Sequence, residues 1–334
     1  MIIFLIGAAL GIYAPTPDSS VTLSREFIAM GTELRVSLTA PDRPAALQAL
    51  EAAYQAVIET DGLLSTWHPS ALDSLNHTDV ARATPLSAEL AAITCTVLAW
   101  RDSTAGAFEP VSGALTDAWD IRGKGRVPDA SALARALAAT GPAAMTFTPE
   151  CAAGVRHDAG TWLDSGGFGK GAALAHAADT LRSLGVTSAF LDFGGQLMAL
   201  GAPVNGGSWT AAIADPGDRQ RPVLRLRVDG VSASTSAQSE HRVTVHGVRY
   251  GHIMDPRTGR PAASWGSVTV LAADPLVADI LSTALFVMGP DAGLAWADRH
   301  PRIGAVFLVR RHGRLDIRAS SGARRFLDSS PSVP

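Results

Sequence analysis

Two stretches of this 334-residue chain gather side chains able to do chemistry at spacings a fold can use. In "LDSGGFGKGAALAHAADTLRSLG", from Leu163, Asp164, four glycines (Gly166, Gly167, Gly169, Gly171) and Lys170 stand directly ahead of an alanine-rich helical pattern. Glycines let backbone N–H groups come close to an anion, and a helix start adds the positive end of its dipole, so the natural guest is a phosphate. Lys170 could pair with that phosphate and Asp164 could accept hydrogen bonds from a ribose or a base. In "DPLVADILSTALF", Asp279 and Thr283 are spaced i, i+4 and leave one face of an otherwise apolar helical segment. A carboxylate and a hydroxyl, joined by carbonyl and phosphate oxygens, form the hard-oxygen set that Mg²⁺ accepts.

Each cluster has a plainer structural reading. The glycine stretch could be a turn with an N-capping Asp164, and Asp279 with Thr283 could share a hydrogen bond on a helix surface. Two known phosphate loops can be tested against the first stretch. The Walker pattern fails, because Gly171 stands where Ser or Thr must follow the lysine. The dinucleotide fingerprint fits better: residues 167–172 read GxGxxA, and Asp192 follows about twenty residues on. That keeps a nicotinamide-dependent Rossmann enzyme open as an alternative. A third loop, "RYGHIMDPRTGRPA" from Arg249, follows a strand and carries His252, the residue there suited to moving a proton near neutral pH. On its own, His252 could equally be a hydrogen-bonded structural histidine.

The elements that must position these residues follow from periodicity. "TLSREFIAMGTELRVSLTA" alternates apolar and polar residues around a Met-Gly-Thr turn and reads as an antiparallel strand pair. Residues 43–60, 87–101 and 169–185 have helical spacing, the last closed by Gly185. The segment "DPLVADILSTALFVMG" is a helix with Asp274 as N-cap and Gly289 as stop. Residues 122–130 read as a Gly, Lys, Arg and Pro loop, and 141–161 has no clear period. "VLRLRVDG", "RVTVHGVRYGHIMD" and "SVTVLAAD" read as strands, which argues for an antiparallel sheet and against a parallel Rossmann core, and the end "RIGAVFLVRRHGRLDIRAS" as a hairpin with a His-Gly turn. The expectation is a single mixed α+β domain over 23–325, after a leader at 1–22 and before a disordered tail at 326–334.

Composition narrows the function further. With 47% hydrophobic residues the chain can bury a real core, and a formal charge of −3 without a basic run argues against nucleic acid as partner. The two cysteines, Cys95 and Cys151, lie in unrelated surroundings, so no disulfide framework is expected, and Cys95 reads as a buried, inert thiol. The opening "MIIFLIGAALGIYAPTPDSS" has the apolar run and small-residue exit of a signal peptide without its basic start. Export is the expectation. A short apolar strand is the alternative, and with no cysteine after the run a lipid anchor is not expected.

Taken in order, "MGT", "LSTWHPSALDSLN", "GAFEPVSGAL", "DSGGFGKG" with "LDFGGQLMALG", "SASTSAQSEH" with "YGHIMDPRTGRP", and "ADILSTALFVMGPDAG" resemble the successive blocks of the ApbE family, the FAD:protein FMN transferases. The resemblance covers most of residues 25–300. It implies a mixed α/β fold related to T-fold proteins, Mg²⁺-dependent cleavage of the FAD pyrophosphate, and transfer of FMN to a Ser or Thr of a partner, typically a subunit of a membrane electron-transfer complex. By matching motif, Met30, Trp67, Ala107, Phe108, Glu109, Asp164, Lys170, His252 and Ile253 would line the FAD site. The Gly167 carbonyl, Asp279, Ser282 and Thr283 would hold the metal, and His252 with Asp279 would serve catalysis. Trp67 replaces a usual tyrosine, Glu109 an Asp, Gly169 an Ala, Gln196 an acid and Ala237 a Gly. The same site could instead hydrolyse FAD to FMN and AMP, or bind FAD without chemistry.

Overall fold

The computed structural model describes residues 2–3, 20–311 and 313–328. Most of the leader, His312 of the expected His-Gly turn, and residues 329–334 of the tail lie outside the described residues. Ile2 and Ile3 pair antiparallel with the strand Thr210–Asp215.

The centre is an eight-stranded sheet: β1 (Val21–Ala29), β2 (Thr32–Ala40), β3 (Ser188–Phe193), β4 (Gln196–Leu200), β5 (Ser232–Ala237), β6 (Gly266–Ala272), β7 (Gly304–Arg311) and β8 (Arg314–Ala319). These strands lie side by side in chain order, and every pair among them is antiparallel. No parallel βαβ crossover exists among the described residues to carry a Rossmann site, so the glycine bend needs another explanation. Period-two alternation sorts the side chains. Ala189, Leu191 and Phe193 of β3 go to one core with Met198 and Leu200 of β4, while Phe190, Leu197 and Ala199 go to the opposite one.

Three helices cover the first face: α1 (Arg43–Leu64), α4 (Gly169–Ser183) and α5 (Pro275–Met288), while α2 (Ala88–Ser103) and the short α3 (Gly113–Ala118) belong to the segment inserted between α1 and β3. Asp42 caps α1 through the Ala45 amide, and Asp274 caps α5 through the Leu276 amide at 2.8 Å. Gly289 ends α5 at φ 82°, and Gly185 follows α4 at φ 77°, the left-handed geometry a helix stop requires. The opposite sheet face packs against the hairpin of Thr210–Asp215 and Asp218–Arg227. Where α4 meets α5 the backbones are in close contact. A Cβ on Gly171 would come within 2.6 Å of the Pro275 carbonyl and 2.7 Å of Asp279 Cβ. Glycine there is what lets the start of one helix reach the acid on the other.

The cysteines correct the expectation from sequence. Cys95 of α2 and Cys151 form a disulfide with Cα atoms 5.7 Å apart, and Cys95 is half-buried instead of fully enclosed. A small sheet of Ala83–Pro85, Ala153–Arg156 and Met145–Phe147 folds the intervening chain back, so two cysteines 56 residues apart meet although their local sequences share nothing. Closing a loop of that length contributes about 4 kcal/mol by restricting the unfolded chain.

Candidate active site

The glycine bend begins as a single 3₁₀ turn at Ser165–Gly167 and enters α4 at Gly169. Asp164 Oδ1 accepts from the Gly166 amide at 3.0 Å, the Ser165 hydroxyl donates to the Leu64 carbonyl, and Phe168 is buried against Phe108. The bend is therefore tied to both α1 and the Ala107–Glu109 segment. No side chain of the N-cap residue closes α4. Instead the Gly171 amide donates to Asp279 Oδ2 at 2.9 Å, so an acid from α5 sits at the positive end of α4. Gly169 has room for a methyl group, whose nearest neighbour would be Met30 Cε at 3.4 Å, so this departure from Ala has no steric cause.

Around the bend lies a cavity of about 530 Å³, a size suited to a nucleotide. Of the residues singled out in sequence, Trp67, Ala107, Phe108, Glu109, Asp164, Gly167, Lys170, His252, Ile253, Asp279 and Thr283 all line it. Trp67 is 74% exposed at the rim, whereas Ala107, Phe108 and Ile253 are buried. Met30, in the turn between β1 and β2 at φ 46°, stands behind Gly169 and is not among the lining residues. Ser282 is turned away. Its hydroxyl donates to the Asp279 carbonyl of its own helix and lies 2.8 Å from the Ser236 hydroxyl of β5.

Asp279 is buried, and burial pushes its carboxyl above the ordinary range against the pull of Lys170 and the donors Gly171 N–H and Ser234 Oγ–H. Thr283 Oγ1 would lie 3.6 Å from a Cβ on Gly167, which puts the hydroxyl against the bend. Among the described residues no cluster of three His, Cys, Asp or Glu side chains exists. A cation in this corner would depend on one carboxylate with hydroxyl and carbonyl oxygens. Gln196 lines the same cavity, and its buried Oε1 has no hydrogen-bond partner among the described residues while its Nε2 donates to the Pro275 carbonyl. An oxygen-only set of this kind fits Mg²⁺ and disfavours zinc.

His252 Nδ1 lies 2.9 Å from the His241 carbonyl. A carbonyl only accepts, so Nδ1 carries the proton and Nε2 the lone pair. Burial holds the imidazole below its ordinary pKa, helped by His241 and Lys170 and opposed by the His241 carbonyl and Glu240. A neutral imidazole with a free lone pair is a base.

Burial raises the Glu109 carboxyl from 4.5 to about 7, partly offset by the Val111 amide, which donates to Oε1 at 2.9 Å. Its folded state holds the proton more tightly than the unfolded chain does. The associated stability is present below about pH 4.5 and is lost as pH rises through 7. Glu109→Gln removes this loss. The stability difference between variant and wild type, from urea unfolding, is expected to move in favour of the variant by about 3 kcal/mol between pH 4 and pH 8. A difference that stays constant across that range would refute the buried, raised carboxyl.

Asp192, the acid at Rossmann-like spacing, accepts from the Gly195 amide at 3.0 Å and caps the Gly194–Gly195 turn. Sequence reasoning did not find Arg122, Thr116, His241 or Glu240, which also line the cavity. Arg122 was legible only as part of a loop, since its partner Asp164 lies 42 residues away.

The family model described as the ApbE family matches residues 30–307. The FAD:protein FMN transferase of Klebsiella pneumoniae (strain 342) is 32% identical over 286 residues, covering 83% of this chain and 81% of that protein. The FAD:protein FMN transferase of Treponema pallidum (strain Nichols) is 32% identical over 318 residues, covering 90% and 87%. Among solved structures, the apo form of the flavinyl transferase ApbE of Pseudomonas stutzeri superposes with a TM-score of 0.80 at 27% identity, over 91% of this chain and 96% of that one.

Proposed function

Because the chain belongs to the ApbE family, we propose that it is a Mg²⁺-dependent FAD:protein FMN transferase. The observation that carries this reading is the convergence, in one cavity, of the glycine bend with Lys170, the Asp279–Thr283 corner, and His252, whose Nδ1 is held by the His241 carbonyl. Lys170 and the α4 amides ahead of Gly171, whose own N–H is taken by Asp279, hold the pyrophosphate by charge and hydrogen bonding. Asp279, Thr283 and the Gly167 carbonyl would hold Mg²⁺, which supplies positive charge to the phosphate oxygens. The acceptor hydroxyl oxygen attacks the FMN phosphorus and its proton passes to His252 Nε2. The bond from that phosphorus to the bridging oxygen breaks, and AMP leaves.

The acceptor in this proposal is a Ser or Thr of a flavoprotein subunit of a membrane electron-transfer complex, and the enzyme works outside the cytoplasm. Two features support export: the apolar run at the N-terminus and the Cys95–Cys151 disulfide, a bond kept in oxidising compartments. Among the described residues no helix is long and apolar enough to cross a membrane.

The test is incubation with FAD and Mg²⁺, with and without an acceptor protein, following AMP by chromatography and the acceptor by mass spectrometry. AMP released in step with FMN gained by the acceptor is the expected result. AMP with an unmodified acceptor would make the protein a hydrolase of FAD, and no AMP in either arm would leave it a flavin carrier.

A further inference from the structure

Arg122 sits where three parts of the cavity wall meet. Its guanidinium carbon lies 4.5 Å from the centre of the Trp67 ring and 4.7 Å from that of Trp162, so one planar cation is flanked by two indoles. Three of its five N–H donors are engaged as well. Nη1 donates to the Thr66 carbonyl at 3.0 Å, and Nη2 donates to Thr66 Oγ1 at 2.8 Å and to Asp164 Oδ1 at 3.0 Å. Trp162 is itself anchored, its Nε1 donating to Asp117 Oδ2 at 2.8 Å, and its ring lies where a Cβ on Gly113 would stand, 2.0 Å away. Trp67, by contrast, presents a large apolar ring 74% exposed at the cavity rim. A wide flat surface left in water and held in place from behind is prepared for a flat partner, because the ordering cost is met before binding.

We infer that Arg122 is a positioning residue, which holds Trp67 as a stacking platform for a planar ring of the dinucleotide and at the same time orients Asp164 beside the glycine bend. The inference rests on the FAD reading above and adds to it a residue outside the motifs that define that reading. The ring chemistry is an aromatic heterocycle, which either the flavin or the adenine end can supply. Lysine cannot do this work, since a point charge has neither the plane to lie against two indoles nor the fork to reach Thr66 and Asp164 together.

The test uses the full chain and equilibrium titration with FAD, FMN and ADP, followed by tryptophan fluorescence, on wild type, Arg122→Ala, Arg122→Lys and Trp162→Leu. Arg122→Ala is expected to weaken FAD binding roughly tenfold and to diminish the quenching of Trp67. Arg122→Lys should recover little of this. Trp162→Leu, which removes the support without touching the cavity lining, should weaken binding by roughly threefold. In steady state KM for FAD rises while kcat changes far less, a split that general destabilisation would not give. A loss confined to FMN assigns the flavin ring to the platform, and one confined to ADP assigns the adenine. Wild-type affinity in Arg122→Ala, or equal losses for both fragments, overturns the inference. Failure of the wild type to bind FAD would instead overturn the functional reading.

Discussion

Asp279→Asn is expected to lower Mg²⁺-dependent AMP release from FAD by about a thousandfold or more while leaving the protein as stable as before, or more so at alkaline pH. The two effects separate because the carboxylate's charge and its hydrogen bonds act differently. Asparagine can still accept from the Gly171 amide and can donate to Ser234 Oγ, so the two contacts that hold Asp279 at 2.9 and 3.1 Å survive. The negative charge does not. In the folded protein that charge is unfavourable, since burial raises the carboxyl's pKa despite Lys170 nearby. Its loss therefore costs the fold nothing and removes the strongest ligand a hard cation would find in this corner. Mn²⁺ binding followed by electron paramagnetic resonance provides a readout independent of turnover, and it should weaken in parallel. Unchanged AMP release with unchanged Mn²⁺ affinity would mean that the acid serves only to cap α4.

How much of this was legible in the sequence depends on distance along the chain. α5 could be bounded from Asp274 and Gly289, and α4 from Gly185, because caps are local and their backbone angles restrict the residue type. The i, i+4 spacing of Asp279 and Thr283 put both on one helical face, and both do line the cavity. Ser282, one step round the helix, meets β5 through Ser236, a consequence of helical geometry that motif matching alone overlooks. The region 141–161 resisted reading because its strands, Met145–Phe147 and Ala153–Arg156, are too short for a period of two to register. The remaining surprises are long-range. Cys95 with Cys151, Arg122 with Asp164, Gln196 with the Pro275 carbonyl, and Ser165 with the Leu64 carbonyl join positions between 42 and 101 residues apart. No local pattern encodes such pairs. The eight-stranded sheet creates the last two by bringing α1, α4 and α5 onto one face, and the folding of the inserted segment, with its own small sheet, creates the first two.

His252→Gln is expected to lower kcat for FMN transfer by about 10² to 10⁴ while FAD affinity stays within about threefold. Glutamine preserves a polar side chain of similar reach but cannot take a proton from the attacking hydroxyl. The His241 carbonyl fixes the tautomer by accepting from Nδ1, so the wild-type lone pair is on Nε2 whenever the ring is neutral. Burial makes neutrality the normal state, since it lowers the pKa, and the neighbouring His241 and Lys170 act in the same direction against Glu240 and the His241 carbonyl. The sign follows directly. Wild-type kcat/KM should fall on the acid side with a midpoint below 6.5, because activity requires the unprotonated ring and the lowered pKa favours that form at neutral pH. In His252→Gln that acid limb should be absent and the small residual rate nearly flat across the same range. A limb that survives the substitution would assign the proton to another group. The nearest alternative is His241, whose Nε2 lies 3.3 Å from the Ile121 carbonyl and whose ring centre is 6.0 Å from that of His252. The double substitution at both histidines then discriminates: if His252 is the base, removing His241 as well leaves the residual rate and its flat profile unchanged.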